Sequence, residues 1–275
     1  MKSMIVTLML SLIICSVAEA QKKSDRELEG LKGPVHKVTE ETVRLYETEG
    51  KWVEQEKGSV AIIDSVTTTI YDAAGKRMEF INYFPDDLDS GKIKLLYRCV
   101  FSYDAKGRRT RKVFIDPSAE PPGEGSIPKE EMPPAAVRTR DGATLTTLVE
   151  KFDAFGNPAE TITYNGTAKG VMVQRDTYNY NAQTRTMETL TYDFRNRLVE
   201  KIIDKLDEQN NEVESLFSNF NMITKEVIHR KLIYSDYEFD VKGNWIKRSE
   251  LTSGINENDP RPIEKSIIKR KITYH

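Results

Sequence analysis

A short motif recurs five times along this chain and restricts the folds that the chain can adopt. Each copy is an aromatic residue, Asp, two variable residues, Gly or Asn, and a polar residue, and the copies start at Tyr71, Tyr103, Phe152, Tyr192 and Phe239. The Asp side chain can accept hydrogen bonds from backbone N–H groups two residues on. The fourth turn residue needs a positive φ, which Gly adopts freely and Asn tolerates. The motif therefore predicts tight β-hairpin turns.

The predicted turn residues are the five Asp residues and the Gly or Asn three positions later. They are Asp72 and Gly75, Asp104 and Gly107, Asp153 and Gly156, Asp193 and Asn196, and Asp240 and Gly243. A degenerate copy at residues 180–185 has Thr184 at the position that needs a positive φ, which disfavours this turn.

The segments that flank the turns have the alternation of β-strands. Residues 95–103 place Leu95, Tyr97 and Cys99 on one parity, and residues 227–239 alternate in the same way. Ser24 and Glu27 form a capping-box pattern for a short helix, which Gly30 and Pro34 would end before a first strand that starts at Val35 and runs to Tyr46. We expect an all-β protein, an antiparallel meander of β-hairpins that forms one long curved sheet or an open half-barrel, with a short N-terminal helix at most.

The spacing of the turns predicts the domain organisation. The steps between the Asp residues are unequal, whereas a solenoid would keep a fixed period. We therefore expect residues 21–275 to form one β-sheet domain with insertions. The largest insertion, residues 116–134, holds six prolines, which are too dense for the interior of a sheet. It is interpreted as an exposed loop or as the boundary between two halves.

The first twenty residues predict export. Lys2 is followed by an apolar run from Met4 to Ile14, and small residues stand at Ala18 and Ala20. This is the pattern of a signal peptide that is removed before Gln21. The apolar run is too short for a membrane span, which needs about 20 residues. Acylation at Cys15 would make a lipoprotein, an alternative that the bulky Ile14 before it disfavours.

Composition restricts the compartment and the partners. After processing only Cys99 remains, so no intramolecular disulfide can form, and we expect Cys99 to be a small buried hydrophobe. An exported chain without disulfides favours a bacterial envelope, periplasmic or extracellular. The net charge of −2 argues against nucleic acid as a partner, because phosphate binding needs clustered Lys and Arg.

Known catalytic and metal-binding motifs are absent from the sequence. We therefore predict no catalytic residue, no metal site and no cofactor. His36, His229 and His275 are far apart in sequence and lack the spacing of metal ligands. Residues 86–91 contain three Asp but fail the EF-hand spacing, and the sequon at Asn165 is interpreted as a turn.

Aromatic residues near the hairpin ends are the candidate ligand-stacking residues. They are Tyr71, Tyr103, Tyr192, Tyr237 and Trp245. If several of them face outward, they could stack on sugars or bind an envelope protein. The alternative is that they pack the sheet.

The five turns resemble the YD-repeat group, which is related to the Rhs repeats of bacterial surface and toxin-shell proteins. Residues 31–40, and residues 243–275 at the other end, are similar to small secreted proteins of that type. The resemblance implies hairpins laid side by side in a long sheet and no conserved catalytic residue. This chain is shorter than the large shell proteins, and its repeat spacing is irregular.

These observations favour an exported, non-catalytic envelope or secreted protein that binds or scaffolds through its sheet, with carbohydrate or an envelope protein as the partner. One alternative is an envelope polysaccharide hydrolase that uses paired carboxylates, which 43 acidic residues leave open. A weaker alternative is an accessory protein related to toxin shells.

Overall fold

A computed structural model describes residues 22–54, 56–57, 60–61, 63–85, 93–105, 108–115, 137–221, 225–254 and 264–275. The signal sequence with Cys15, the acidic residues 86–91, Gly107 and the proline-rich insertion at 116–134 lie outside the described residues.

Within those residues the secondary structure is almost entirely β. The helix α1 spans Asp25–Leu28. The strands are β1 (Val35–Thr48), β2 (Lys51–Glu54), β3 (Glu56–Lys57), β4 (Val60–Ala61), β5 (Ile63–Tyr71), β6 (Arg77–Pro85), β7 (Ile93–Tyr103), β8 (Arg109–Ile115), β9 (Thr144–Phe152), β10 (Pro158–Asn165), β11 (Met172–Asn181), β12 (Thr186–Asp193), β13 (Leu198–Leu206), β14 (Glu212–Phe220), β15 (Val227–Phe239), β16 (Trp245–Gly254) and β17 (Glu264–Tyr274). The all-β class is therefore confirmed.

The main sheet closes on itself. From β5 to β17 each strand pairs antiparallel with the next, and β1 pairs with both β5 and β17. β1 and β5–β17 thus form a closed barrel of 14 strands. The expected open sheet or half-barrel is wrong in this respect. Hairpin turns specify only neighbouring strands, whereas closure depends on the pairing of Val35 with Tyr274 through to Leu45 with Lys265, from opposite ends of the chain.

The two ends of the barrel differ in their connections. The turn end carries six short connections, at residues 72–76, 104–108, 153–157, 182–185, 207–211 and 240–244, together with the start of β1 and the end of β17. The opposite end, where β6 and β8 finish and β7 and β9 begin, is here called the loop end. Four of the five motif turns lie at the turn end, and the turn at Asp193 lies at the loop end.

Four of the five motif turns have the positive φ that the sequence predicts, and Gly107 of the fifth lies outside the described residues. φ is 81° at Gly75, 79° at Gly156, 79° at Gly243 and 62° at Asn196. At the β9–β10 turn, Oδ1 of Asp153 accepts hydrogen bonds from the backbone N–H groups of Phe155 and Asn157, at 2.8 and 2.9 Å. The Asp side chain therefore accepts from two backbone N–H groups of the turn, in addition to the backbone hydrogen bonds that close it.

Sequence reasoning missed another copy of this turn. Between β13 and β14, Asp207 N donates to Asn211 O at 2.9 Å, Asn210 N donates to Asp207 O at 3.2 Å, and φ of Asn210 is 64°. The motif is disguised because Leu206 replaces the aromatic residue and Asn210 replaces Gly. The degenerate copy at residues 180–185 also turns the chain, but its positive φ of 52° falls on Arg185 rather than on Thr184.

The strand register separates the sheet into two faces. Directly paired residues share a face, and following the pairs from Val38 to Thr69, and then through Phe80 and Cys99 to Val113, keeps to one of them. Most of the buried polar strand residues lie on this face, which we assign to the barrel interior. They include Thr146, Thr161, Thr163, Asn165, Asp176, Asp204 and Ser215.

The outer face carries ion pairs between neighbouring strands. They join Arg98 to Glu79, Lys151 to Glu160, Lys201 to Glu188, and Lys231 to Glu214. Their side chains remain partly exposed, up to 70% for Lys151. Charged pairs of this kind are typical of a sheet face in contact with water.

Candidate functional site in the barrel interior

The N-terminal segment, defined here as residues 22–33, lies across the turn end of the barrel. Its backbone reaches three separate turns: Lys23 N donates to Gly156 O at 3.4 Å, Arg26 N to Gly75 O at 3.0 Å, and Lys32 N to Oδ1 of Asn244 at 2.6 Å. These turns belong to β9–β10, β5–β6 and β15–β16, which are spread around the rim. The segment therefore covers this end of the barrel.

The helix α1 starts with the capping box that the sequence predicts. Ser24 Oγ accepts from Glu27 N at 3.3 Å, and the Glu27 carboxylate accepts from Ser24 N at 2.8 Å. The hydrogen bonds from Ser24 lower the pKa of the Glu27 carboxyl. The cap thus stabilises a single helical turn and fixes the direction in which its acidic residues point.

Asp25 of this helix is bound by groups from three strands. Its Oδ2 accepts from Arg77 N at 2.7 Å and from the Tyr103 hydroxyl, and its Oδ1 lies 3.4 Å from an Arg109 nitrogen. Arg109 also pairs with Glu150 at 3.1 Å. The Asp25 and Glu150 side chains are only 8% and 7% exposed, so these charges are desolvated and depend on one another.

Glu29 has a similar arrangement one helical turn later. The Tyr71 hydroxyl and the Arg77 guanidinium both donate to its carboxylate. Burial raises the pKa of Tyr71 and of Tyr103, and the neighbouring carboxylates of Glu29 and Asp25 raise them further. Both hydroxyls therefore remain protonated donors.

A second interior group lies on β14–β17 and β1. We call Glu40, Glu212, Trp245, Arg248 and Arg270 the arginine–tryptophan cluster. The guanidinium carbons of Arg270 and Arg248 lie 3.3 and 4.6 Å from the centroid of the Trp245 ring. Arg270 donates to Glu40 at 2.8 Å, and Arg248 donates to Glu212 at 3.1 Å. Both cations are thus paired and stacked, an arrangement that positions charge but supplies no nucleophile beside a base.

The remaining inner wall, on β10–β14, is polar. Every buried residue of these five strands is polar or charged: Thr161, Thr163, Asn165, Asp176, Asp204 and Ser215. Ser215 Oγ donates to Asp204 at 2.5 Å, and burial raises the pKa of the Asp204 carboxyl. The buried residues of this wall present hydroxyl, amide and carboxyl groups, and the half-buried Met187, Ile202 and Phe217 lie on the same face.

The structure places the candidate stacking residues in different surroundings. Tyr71 is 1% exposed and its ring packs with Leu31, Val35 and Val38, which is the packing alternative for this residue. The hydroxyls of Tyr103 and Tyr237 are engaged by Asp25 and by the backbone oxygen of Glu212.

Trp245 and Tyr192 both lie against arginines. The Trp245 ring contacts Arg248 and Arg270, as described above. Tyr192 lies on the outer face toward the loop end, with the Arg175 guanidinium carbon 4.4 Å from its ring centroid. None of the five aromatic residues was recognised from sequence as a partner of an arginine, because the pairing depends on strand register.

Three further expectations can be compared with the structure. Cys99 is 5% exposed, as predicted, and burial raises the pKa of its thiol. Asn165 ends β10, and the chain turns directly after it, with φ of 75° at Gly166 and a hydrogen bond from Gly170 N to Thr167 O at 2.8 Å, which agrees with the turn interpretation. His36 and His275, however, are neighbours across the β1–β17 seam, with ring centroids 4.6 Å apart, so their distance in sequence was misleading.

Among the described residues, nine of the 15 large hydrophobic side chains that are exposed lie at the loop end, whereas the two most exposed, Phe155 and Val241, lie in turns at the turn end. The nine are Tyr46, Val53, Phe84, Ile93, Ile115, Val137, Val171, Val227 and Ile228, with exposures from 37% to 60%. The end that the N-terminal segment leaves uncovered therefore has an apolar rim above a polar wall.

No group of three or more His, Cys, Asp or Glu in the part of the chain that the structure describes could hold a metal ion. No helix within the described ranges is long and apolar enough to cross a membrane.

The N-terminal segment is the part of this site that sequence reasoning missed. The capping box identified the helix, and Asp25 and Glu29 were visible as acidic residues. Nothing local indicated their partners, since Tyr71, Arg77, Tyr103 and Arg109 come from positions 42 to 84 residues away.

No family model and no curated protein matches the sequence. Among solved structures, a porin-like protein from Bacteroides uniformis ATCC 8492 is 8% identical, with a TM-score of 0.46 over 88% of this chain and 98% of that one. A protein of unknown function from Bacteroides fragilis NCTC 9343 is 15% identical, with a TM-score of 0.29 over 47% of this chain and 91% of that one. A Photorhabdus luminescens Tc holotoxin pore is 15% identical, with a TM-score of 0.17 over 75% of this chain and 11% of that one. These likenesses are distant, and they assign neither a family nor an activity to the chain.

Proposed function

We propose that this chain is an exported, non-catalytic binding protein that holds a polar ligand, specifically a glycan, against the inner wall of its barrel. The observation that carries this proposal is the polar wall of β10–β14, whose buried residues are all hydroxyl-, amide- or carboxyl-bearing. A saccharide presents many hydroxyl groups, and such a wall can match them with donors and acceptors. An apolar ligand would form no hydrogen bonds with such a wall.

The N-terminal segment at the turn end determines from which end of the barrel a ligand would enter. Residues 22–33 bridge turns on several sides of the rim at that end. A ligand would therefore enter at the loop end, pass the apolar rim there and contact the polar wall. A 14-stranded barrel is also wider than an eight-stranded one, whose interior is just filled by its own side chains.

Two features support export and a surface in contact with water. The first twenty residues have the pattern of a cleavable signal, and the remaining chain has a single cysteine. The outer face bears ion pairs that link neighbouring strands. Both features suit a protein of a bacterial envelope or one secreted from it.

Three interior carboxylates suit binding rather than catalysis. Glu40, Glu150 and Glu212 each pair with an arginine. A glycosidase needs one carboxylate free to attack or to activate water and another to donate a proton. Hydrolysis of envelope polysaccharide remains the competing function, and the same experiment distinguishes it.

The test is a glycan array probed with the mature chain, residues 21–275, followed by calorimetry on the glycans that bind. Tyr178 is an inner-face residue of β11, whereas Tyr164 of β10 lies on the outer face. We expect Tyr178→Ala to weaken glycan binding about tenfold, as expected when a ring contact and a hydrogen bond are lost. Tyr164→Ala is the matched control and should bind as the wild type does.

Three outcomes would count against the proposal. Absence of binding to any glycan would reject the ligand class. Equal losses for Tyr178→Ala and Tyr164→Ala would reject the inner wall as the site. Release of shorter saccharides during the assay would favour the hydrolase.

A further inference from the structure

We propose that the inner wall at the turn end is a second binding site, for an acidic peptide segment with two carboxylates one helical turn apart, and that the chain's own N-terminal segment occupies it in this structure. This site lies on β5–β8, apart from the polar wall of β10–β14, and it does not depend on the proposed glycan.

The site is built from two arginines and two tyrosines on four consecutive strands. They are Tyr71 of β5, Arg77 of β6, Tyr103 of β7 and Arg109 of β8. Arg111 of β8 lies on the same face, and Glu150 of β9 is the acidic group that faces Arg109. Without residues 22–33 this wall therefore has an excess of positive charge, which favours an anionic ligand.

The occupant shows what the site recognises. Asp25 and Glu29 are four residues apart, so their side chains lie on one side of a helical turn. Asp25 takes the donors of Tyr103, Arg109 and the Arg77 backbone, while Glu29 takes those of Tyr71 and the Arg77 side chain. The spacing of the two carboxylates thus matches the spacing of the two donor sets.

The occupant leaves part of the site unused. Within the described residues, the Nε atoms of Arg77 and Arg109 are buried and have no hydrogen-bond partner. A buried donor without a partner costs free energy, so a ligand that also accepted from these atoms would bind better than Asp25 and Glu29 do.

The occupant depends on its contacts with the barrel. Its helix has four residues, a length that is not stable by itself. It joins β1 through Gly30 and Gly33, both with positive φ, at 70° and 76°. Leu31 is the buried hydrophobic residue of the segment, and buried ion pairs give little net stabilisation after desolvation. Local opening at this end is therefore easier than unfolding of the barrel.

The proposal is tested by supplying the acidic segment in trans. The protein is the mature full chain carrying Asp25→Asn and Glu29→Gln. The probe is a fluorescein-labelled peptide with the sequence of residues 24–31, in which Asp25, Glu27 and Glu29 outweigh Arg26. The charge-matched control carries Glu47→Gln and Glu208→Gln, two exposed acidic positions away from the site. Fluorescence anisotropy measures peptide binding, and circular dichroism establishes that each variant is folded.

We expect the Asp25→Asn/Glu29→Gln chain to bind the peptide at least about tenfold more tightly than the wild type or the control, whose sites are occupied. A peptide with the same two amides should not bind. Failure of the folded variant to bind the acidic peptide, or equal binding of the amide peptide, would overturn the proposal.

A second measurement keeps the proposal testable if the variant does not fold. Hydrogen exchange on the wild-type chain should show faster exchange at residues 24–30 than in β1 and β5, and an excess of the acidic peptide should accelerate that exchange further. Exchange at residues 24–30 as slow as in the barrel strands, and unchanged by the peptide, would show that the segment is a fixed part of the fold.

Discussion

The side-chain amide of Asn244 is joined to both backbone polar groups of Lys32. Oδ1 of Asn244 accepts from Lys32 N at 2.6 Å, and Nδ2 donates to Lys32 O at 3.0 Å. Nδ2 also donates to the Tyr274 hydroxyl at 2.8 Å. Asn244 is 3% exposed, so one side chain of the β15–β16 turn ties the N-terminal segment and the end of β17 together away from water.

Asn244→Ala should therefore destabilise the protein. Removal of the amide leaves the Lys32 backbone groups without these partners, and we expect a loss of about 1–3 kcal/mol in the free energy of unfolding. Denaturant or thermal melts measure it. The control is Asn211→Ala, since the Asn211 amide occupies the equivalent position in the β13–β14 turn and donates to Asp207 of its own turn at 2.9 Å. Equal losses in the two variants would contradict a special role for the Lys32 contact.

Gly75 and Gly142 allow backbone strain to be separated from packing against the N-terminal segment. Both have φ of +81°, but a Cβ at Gly75 would lie 2.8 Å from Ser24 Oγ, whereas a Cβ at Gly142 would have nothing within 4 Å. Each Ala variant should lose about 1 kcal/mol from the positive φ. Gly75→Ala should lose more, and it should also make residues 22–33 more sensitive to protease. Matching melts and matching proteolysis would show that the segment does not pack on this turn.

Replacing asparagines that have a positive φ with glycine should change the free energy of unfolding in the opposite direction. Asn196 and Asn210 have φ of 62° and 64°. We expect Asn196→Gly and Asn210→Gly to be neutral or to stabilise the protein by up to about 1 kcal/mol, because Gly has no Cβ to strain there. Asn179→Gly in strand β11 is the control, and it should destabilise by about 0.5–1 kcal/mol because Gly weakens an extended strand. Clear destabilisation in all three variants would be inconsistent with relief of strain at the turns.

The local part of the fold could be predicted from sequence, because its causes are local. The turn at Asp153 is encoded within five residues by a side chain that accepts from the next backbone groups and by a Gly that takes a positive φ. The capping box at Ser24 is encoded within four residues. The copy at Asp207 was missed for a related reason, since Leu206 and Asn210 replace the two residues by which the motif was recognised.

Closure and the inner face could not be predicted in the same way. Val35 pairs with Tyr274 across nearly the whole chain, and no short motif specifies that contact. The sequence also does not show which residues of a strand face the interior, because both parities of β7 carry apolar side chains, such as Leu96 and Tyr97. Tyr71 illustrates the consequence: the sequence left open whether its ring packs or faces outward, and its burial follows from barrel closure and the docking of Glu29.

The turn carboxylates should make the protein sensitive to acid. Hydrogen bonds from the Asn157 side chain and from the backbone N–H groups of Asn157 and Phe155 hold the pKa of Asp153 below its usual range, and the pKa values of Asp207 and Asp240 are lowered as well. Because the folded-state pKa is lower than that of an unfolded Asp, about 3.9, these groups stabilise the fold fully above that value. That stabilisation is lost as the pH falls from about 5 through the folded-state pKa.

The variant Asp153→Asn tests the predicted loss of stability at low pH. The variant should be less stable than the wild type at pH 7, where the ionised carboxylate is the better acceptor, and its midpoint in urea should fall less between pH 5 and pH 2. Asp153→Asn combined with Asp207→Asn should flatten the pH dependence further, because the two turns lie in different hairpins and act independently. Urea melts at a series of pH values measure both effects. If the slope of the midpoint against pH is the same in the wild type and both variants, the hydrogen bonds to these carboxylates do not stabilise the ionised form in the folded protein.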